Sequence, residues 1–180
     1  NSGVNAWVTN LDGAYATSEQ SFVESPCFDF SSLSIDPVFR FAHIFNTENC
    51  CDEGYIEISF DAGFTWNRLG AAGEGENWYD DVTNNEWDGT GAGTGATQWR
   101  TAEHLLDNAA GEGSVKIRVV FSSDGSIENE GFGFDDISIF EQPAVNASVN
   151  EILSPVSGCG LGIELVTVVI ENTGDDFLVD

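Results

Sequence analysis

Apolar side chains along this chain alternate with polar ones in short runs, and helix-length periodicity is nearly absent, the pattern of half-buried strands. Val115, Ile117, Val119 and Phe121 are separated by Lys116, Arg118 and Val120, which predicts a strand with one face in a core and most of the other toward water. Val38 to Phe45 is apolar on both faces and predicts a central strand. Further strands are expected at Phe22 to Phe28, Gly54 to Phe60, Trp66 to Leu69, Ser114 to Phe121 and Phe132 to Phe140. Gly, Asn and Asp punctuate them. The single helical turn suggested by the pattern lies near Thr101 to Leu106.

Ser59 to Trp66 reads S-x-D-x-G-x-T-W, the Asp-box pattern. Ile56, Ile58 and Phe60 alternate up to it, Asp61 can fold its carboxylate onto turn amides, and Gly63 supplies a positive φ, so the stretch predicts a hairpin corner. Thr65 and Trp66 restart an extended segment, with the indole free to pack over the turn.

Between that corner and the late strands, Gly70 to Asn108 is rich in Gly, Asn and Asp yet carries Trp78, Tyr79, Trp87 and Trp99. A connection of this length inside a compact domain calls for a role. The aromatics are the ligand-binding candidates, as flat faces on which a sugar could stack, with Asp80, Asp81, Asn84, Asn85 and Gln98 near them to bond hydroxyls. The competing reading packs them as anchors of the loop. Composition changes again at Glu141-Gln142-Pro143. The domain plan is therefore 1–141, a linker at 142–145, and 146–180 as the first strands of a second β-domain, since two strands alone do not make a stable sandwich.

Charge narrows the partners. The 180 residues hold 31 Asp and Glu against 5 Lys and Arg, a formal net charge of −26. Nucleic acid and anionic membrane surfaces are repelled by such a chain. With 41% hydrophobic residues and 13 Phe, it is a folding domain and not an acidic disordered tail. No run of 18 apolar residues exists, so no membrane insertion is expected. The absence of Met and the Asn1 start suggest a processed or excised piece. Converging carboxylates would suit Ca²⁺, a hard cation that takes six to eight oxygens. Asp124-Gly125-Ser126 with Glu128, Asn129 and Glu130 lacks the EF-hand spacing and reads as a solvated turn.

The four cysteines, Cys27, Cys50, Cys51 and Cys159, lack metal-site spacing. The favoured pairing joins Cys27 to one of the adjacent pair, with a vicinal Cys50–Cys51 bridge and free thiols as alternatives. Neither His43, expected in a strand, nor His104, expected on the surface, sits in a catalytic motif. The chain has no H-E-x-x-H, G-x-S-x-G or phosphate loop. One Asp box and four arginines do not furnish a sialidase site.

With the Asp box, three further segments carry a family resemblance. They are Trp7 to Tyr15 leading to Glu19 and Glu24 to Asp29; Asn77 to Tyr79 leading to Trp99; and Val115 to Arg118 leading to Phe121 to Ser126 and Gly131 to Ile137. Together they resemble the MAM-like jelly-roll modules of large secreted multidomain and peptidase proteins of Bacteroidetes type, over about residues 7 to 140. The resemblance implies an all-β jelly-roll sandwich, an extracellular or cell-surface setting, and no catalysis. Ser154 to Cys159 with Glu164 and Ile170 to Gly174 look like the start of an immunoglobulin-like module. Phe134-Asp135-Asp136-Ile137 resembles the closing-strand acidic pair of the family. First and last strands of jelly rolls neighbour each other, so the expected calcium set is Asp12, Glu19, Asp135 and Asp136, with Glu24 in reserve. The function expected is an adhesion or structural module stiffened by calcium, in contact with neighbouring domains, glycans or another surface protein. The alternatives are a carbohydrate-binding module and an accessory domain of a secreted peptidase.

Overall fold

A computed structural model describes residues 4–89, 98–142, 147–155 and 165–172. The chain divides into two compact units, Asn1–Phe140 and Glu141–Asp180. The first is an all-β sandwich. Its strands are β1 (Trp7–Val8), β2 (Gln20–Glu24), β3 (Val38–Asn46), β4 (Glu53–Ser59), β5 (Asn67–Arg68), β6 (Trp87–Asp88), β7 (Arg100–Leu105), β8 (Lys116–Ser122) and β9 (Gly131–Phe140). One sheet has the order β1-β9-β3-β7 and the other β2-β8-β4-β5, with β6 also pairing β4.

That order is a rolled-up hairpin. β1 pairs with β9, β2 with β8, β3 with β7, and β4 with β5 and β6, each pair antiparallel and nested inside the one before. Alternate rungs fall in opposite sheets, which is the jelly-roll arrangement of two packed sheets. The inward positions then meet in one core: Phe39, Phe41 and Phe45 from β3, Ile56 and Ile58 from β4, Ile117, Val119 and Phe121 from β8, and Phe132 and Phe134 from β9. Close approach is built in at Gly54, where a Cβ would lie 2.5 Å from ring carbons of Phe132.

Two expectations change here. Residues 100–105 form β7 and not a helical turn, because Ala102 and His104 point inward at a spacing of two. With them His104 moves from the surface into the core, its Nδ1 2.6 Å from the Leu105 carbonyl oxygen. In the Gly70 to Asn108 excursion the anchor reading holds: it supplies β6, β7 and the aromatic centre of the core. Trp78, Tyr79 and Trp87 are 2%, 5% and 0% exposed. Their polar atoms are satisfied by backbone: Trp78 Nε1 donates to the Leu69 carbonyl at 3.1 Å, Tyr79 Oη to the same oxygen at 2.9 Å, and Trp87 Nε1 to Asn77 at 3.2 Å. Buried tryptophan and tyrosine settle this way when their one polar atom reaches an acceptor.

The second unit is described as one antiparallel pair, β10 (Ala147–Ser154) with β11 (Thr167–Asn172). Val149, Ile152 and Ile170 are exposed on it. Among the described residues no helix is long and apolar enough to cross a membrane.

Candidate metal centre at one end of β4

Strand β4 is bounded by carboxylates at both ends, and they are handled differently. At its C-terminal end the Ser59 to Trp66 corner is closed by its own residues. Asp61 Oδ1 accepts from the Thr65 amide at 2.8 Å and from Ser59 Oγ at 2.7 Å, while Oδ2 accepts from Thr65 Oγ1 at 2.7 Å. Ser59 Oγ accepts from the Gly63 amide at 2.8 Å, and Gly63 takes the positive φ of 99° that the turn requires. The Trp66 indole folds back to donate to the Gly63 carbonyl at 3.0 Å, with the Arg118 guanidinium 4.4 Å above its ring. These bonds hold the Asp61 carboxyl down to about 2, the Thr65 side chain contributing most.

At the N-terminal end the geometry is non-local. Glu53 of β4 lies opposite Ser122 of β8, so Asp52 and Asp124 leave their strands side by side. Asp52 is fully buried; its Oδ1 accepts from the Asp124 amide at 2.6 Å and its Oδ2 from the Tyr15 hydroxyl. That hydroxyl in turn accepts from the Glu48 amide at 3.1 Å, which draws the 47–51 loop onto the same corner. Burial, followed by the Asp52 hydrogen bond, pushes the Tyr15 phenol up to about 12, so it stays a donor to Asp52. One carboxylate oxygen each of Glu48, Asp52 and Asp124 then fall within 4.8 Å of one another. Both Asp52 oxygens are met, and Asp124 Oδ1 accepts from the Ser126 amide at 2.8 Å. Glu48 Oε2 is buried without a hydrogen-bond partner, and burial, then Asp124 and Asp52, raise its carboxyl above the usual range. Glu53, which follows Asp52, rises to about 7 through burial, then Glu86. Three carboxylates of like charge at one corner, one of them with an unpartnered oxygen, suit a hard cation such as Ca²⁺.

Glu48 also neighbours Cys50 and Cys51, but those sulfurs are bonded to each other and offer no thiolate. The vicinal bridge replaces the favoured Cys27 pairing. Cys27 follows β2 beside the Val115–Ile117 end of β8, whereas Cys50 and Cys51 precede β4 where it meets Ser122, at the other end of the same sheet. Cys27 is an exposed free thiol, and Cys159 lies outside the described residues.

The calcium set expected from the resemblance is dispersed. β1 and β9 do pair, Trp7 opposite Phe134. Yet among the described residues no grouping of three ligands draws on Asp12, Glu19, Asp135 or Asp136. Asp12 is exposed in the loop after β1, and Glu19 spends its oxygens on Ser21 Oγ at 2.7 Å and the Ala16 amide at 3.2 Å. Asp135 and Asp136 lie at a β-bulge, where register slips between Arg40 and Ala42 and Asp136 takes a φ of 53°, so they do not simply alternate across the sheet. Glu24 pairs with Lys116. The ligand-face expectation fails for Trp78, Tyr79 and Trp87, which are core; Trp99 alone of the four is half-buried. Asp124 sits in the solvated turn expected of it, its Oδ1 accepting from the Ser126 amide at 2.8 Å, and also joins the cluster; Glu48 and Asp52 carry no motif. Their only sequence signal is an acid just before one strand and another just after a second, which means little until those strands are paired.

His43 is the other unusual polar group. It is fully buried among Phe41, Phe45, Trp87 and Phe132, with neither ring nitrogen hydrogen-bonded, and burial lowers it to about 3. It is a neutral core residue beside Trp87, 4.7 Å between ring centres.

The fold and this corner define the class, an all-β sandwich with an acidic cluster at one end. No protein-family model matches the chain, and no curated protein is detectably similar to it.

Proposed function

We propose that residues 1–140 act as a non-catalytic extracellular adhesion or structural module, stabilised by Ca²⁺ held by Glu48, Asp52 and Asp124. The convergence of those three carboxylates, with Glu48 Oε2 buried and unpartnered, carries the reading. The formal charge of −26 and the Cys50–Cys51 bridge support an oxidising, salt-containing setting, in which the charge is screened and the disulfide persists. The resemblance to MAM-like modules agrees with it. Calcium bound to the folded state alone stabilises it by about 2.7 kcal/mol at a hundredfold excess over Kd. Melting in EDTA and in about 10 mM CaCl₂, roughly ten to a hundred times the Kd of an extracellular-type site, tests this: the reading requires a rise of several degrees with calcium, and identical melting temperatures defeat it.

The carbohydrate-binding alternative is weakened by the burial of Trp78, Tyr79 and Trp87. A glycan array run with calcium separates the two, because silence across glycans agrees with the structural module and binding lost with Trp99→Ala favours the lectin.

A further inference from the structure

The Cys50–Cys51 bridge joins residues one apart in the chain. A disulfide stabilises a fold chiefly by closing a loop that the unfolded chain would otherwise leave open, and a bridge between neighbours closes none. Its contribution is chemical. The 47–51 loop is fastened without it: the Thr47 amide donates to the Gly89 carbonyl at 2.7 Å, the Gly89 amide to Thr47 Oγ1 at 2.9 Å, and the Cys50 amide to Asp88 Oδ2 at 2.6 Å. With the Glu48 amide on the Tyr15 hydroxyl as well, the loop keeps its anchors whether or not the sulfurs are joined. Cys50 is exposed and Cys51 half-buried, so a reductant reaches the bridge from solvent.

Both sulfurs and one oxygen of Glu48 lie within 4.8 Å of one another. Thiolates around a tetrahedral Zn²⁺ stand about 3.7 Å apart, given a Zn–S distance of about 2.3 Å. The three atoms are thus gathered on the scale of one ion. Glu48 Oε2 is moreover buried with no hydrogen-bond partner. We propose that reduction of this bridge opens a Zn²⁺ site, with Cys50 Sγ, Cys51 Sγ and a Glu48 oxygen as ligands and water in the fourth position. The reductant is a dithiol. One of its sulfurs attacks Cys50 Sγ as a thiolate and expels Cys51, and its second sulfur then resolves the mixed disulfide. Two electrons and two protons pass from the dithiol to the pair, the dithiol becomes a disulfide, and both protons leave when the metal binds. Paired thiolates select Zn²⁺ over hard Ca²⁺, and the charge of −26 draws the cation in. Glu48 belongs to both groupings, so where the calcium reading holds, the state of the bridge decides which cation the corner takes. The thiolate site itself does not rest on that reading.

The test uses the full 180-residue chain, with Cys27 and any other free thiol blocked by iodoacetamide while the bridge is intact. Half of it is then reduced with dithiothreitol and desalted under argon. Titration with Zn²⁺ against a chromophoric chelator, in calcium-free buffer, should give one site in the reduced chain, at least about a hundredfold tighter than any in the oxidised chain. Co²⁺ used as the probe should show a thiolate-to-metal charge-transfer band after reduction only. Glu48→Gln should weaken Zn²⁺ at least about tenfold. The Cys50→Ser/Cys51→Ser double variant should melt within a few degrees of the parent and lose both the tight site and the band. Because calcium is absent throughout, failure of the calcium reading leaves these results unchanged. The proposal is overturned by equal Zn²⁺ affinity in the two redox states, by a Co²⁺ spectrum without the band, by a Glu48→Gln or double variant that binds as the parent does, or by a chain that unfolds on reduction or on the double substitution.

Discussion

The two ends of β4 present the same functional group in opposite states. At the Ser59 to Trp66 corner, Asp61 finds its donors within four residues and is satisfied by them. At the other end, Glu48, Asp52 and Asp124 are brought together by strand pairing across the chain, with Glu48 Oε2 left without a donor. A carboxylate with both oxygens met inside its own turn asks for no ligand, whereas carboxylates gathered by register with one oxygen unpartnered leave a charge that a cation can balance. The more conspicuous motif is thus the structural one, and the inconspicuous acids form the candidate site.

The contrast can be broken by mutation. Asp52→Ala should have the largest effect, because it removes the acceptor of the Asp124 amide and leaves the Tyr15 hydroxyl only the Ile127 carbonyl at 3.2 Å; we expect a loss of about 2 kcal/mol in chemical denaturation in EDTA, and more in calcium.

His43 calibrates the core that lies between the two ends. Its folded value of about 3 lies below the unfolded value of 6.5, so the unfolded chain takes up the proton first. Stability is untouched by this group above pH 6.5 and falls by about 1.4 kcal/mol per unit as the pH drops from 6.5 toward 3. His43→Leu should flatten that limb in denaturant titrations at pH 7, 5.5 and 4.5; an unaltered slope would mean that the ring is not buried neutral.

Asp61→Ala should lower the melting temperature by only a few degrees, and equally in EDTA and calcium, since its donors are local and exposed. Because its carboxyl is held low, the contribution of Asp61 is complete above about pH 4 and is lost as the pH falls toward 2. Glu48→Gln should change least in EDTA, within about a degree, yet remove the calcium response. That pairing of results separates a ligand from a structural acid.

Legibility in the sequence follows the same division. Alternation in 115–121 and the apolar run at 38–45 are local patterns, and both became the strands they predict. The S-x-D-x-G-x-T-W corner was readable because all its bonds run between near neighbours. Thr101 to Leu106 is short enough to fit a helical turn as well as a strand, and pairing with β3 decides the matter. The role of Trp78 and Trp87 depended on whether the excursion folds inward, which tertiary packing alone decides. The acidic corner was least legible, since it exists only through the pairing of Glu53 with Ser122. Cys27 and Cys50 are separated for the same reason, register placing them at opposite ends of one sheet.

Calcium calorimetry on the intact chain and on Asp124→Asn bears most directly on the claim that this corner is a cation site. The account predicts one site in the parent protein, with a Kd of about 10⁻⁴ to 10⁻³ M as in extracellular modules, and no measurable heat of binding in the variant. No binding by the parent protein, or the same isotherm from both, would contradict it.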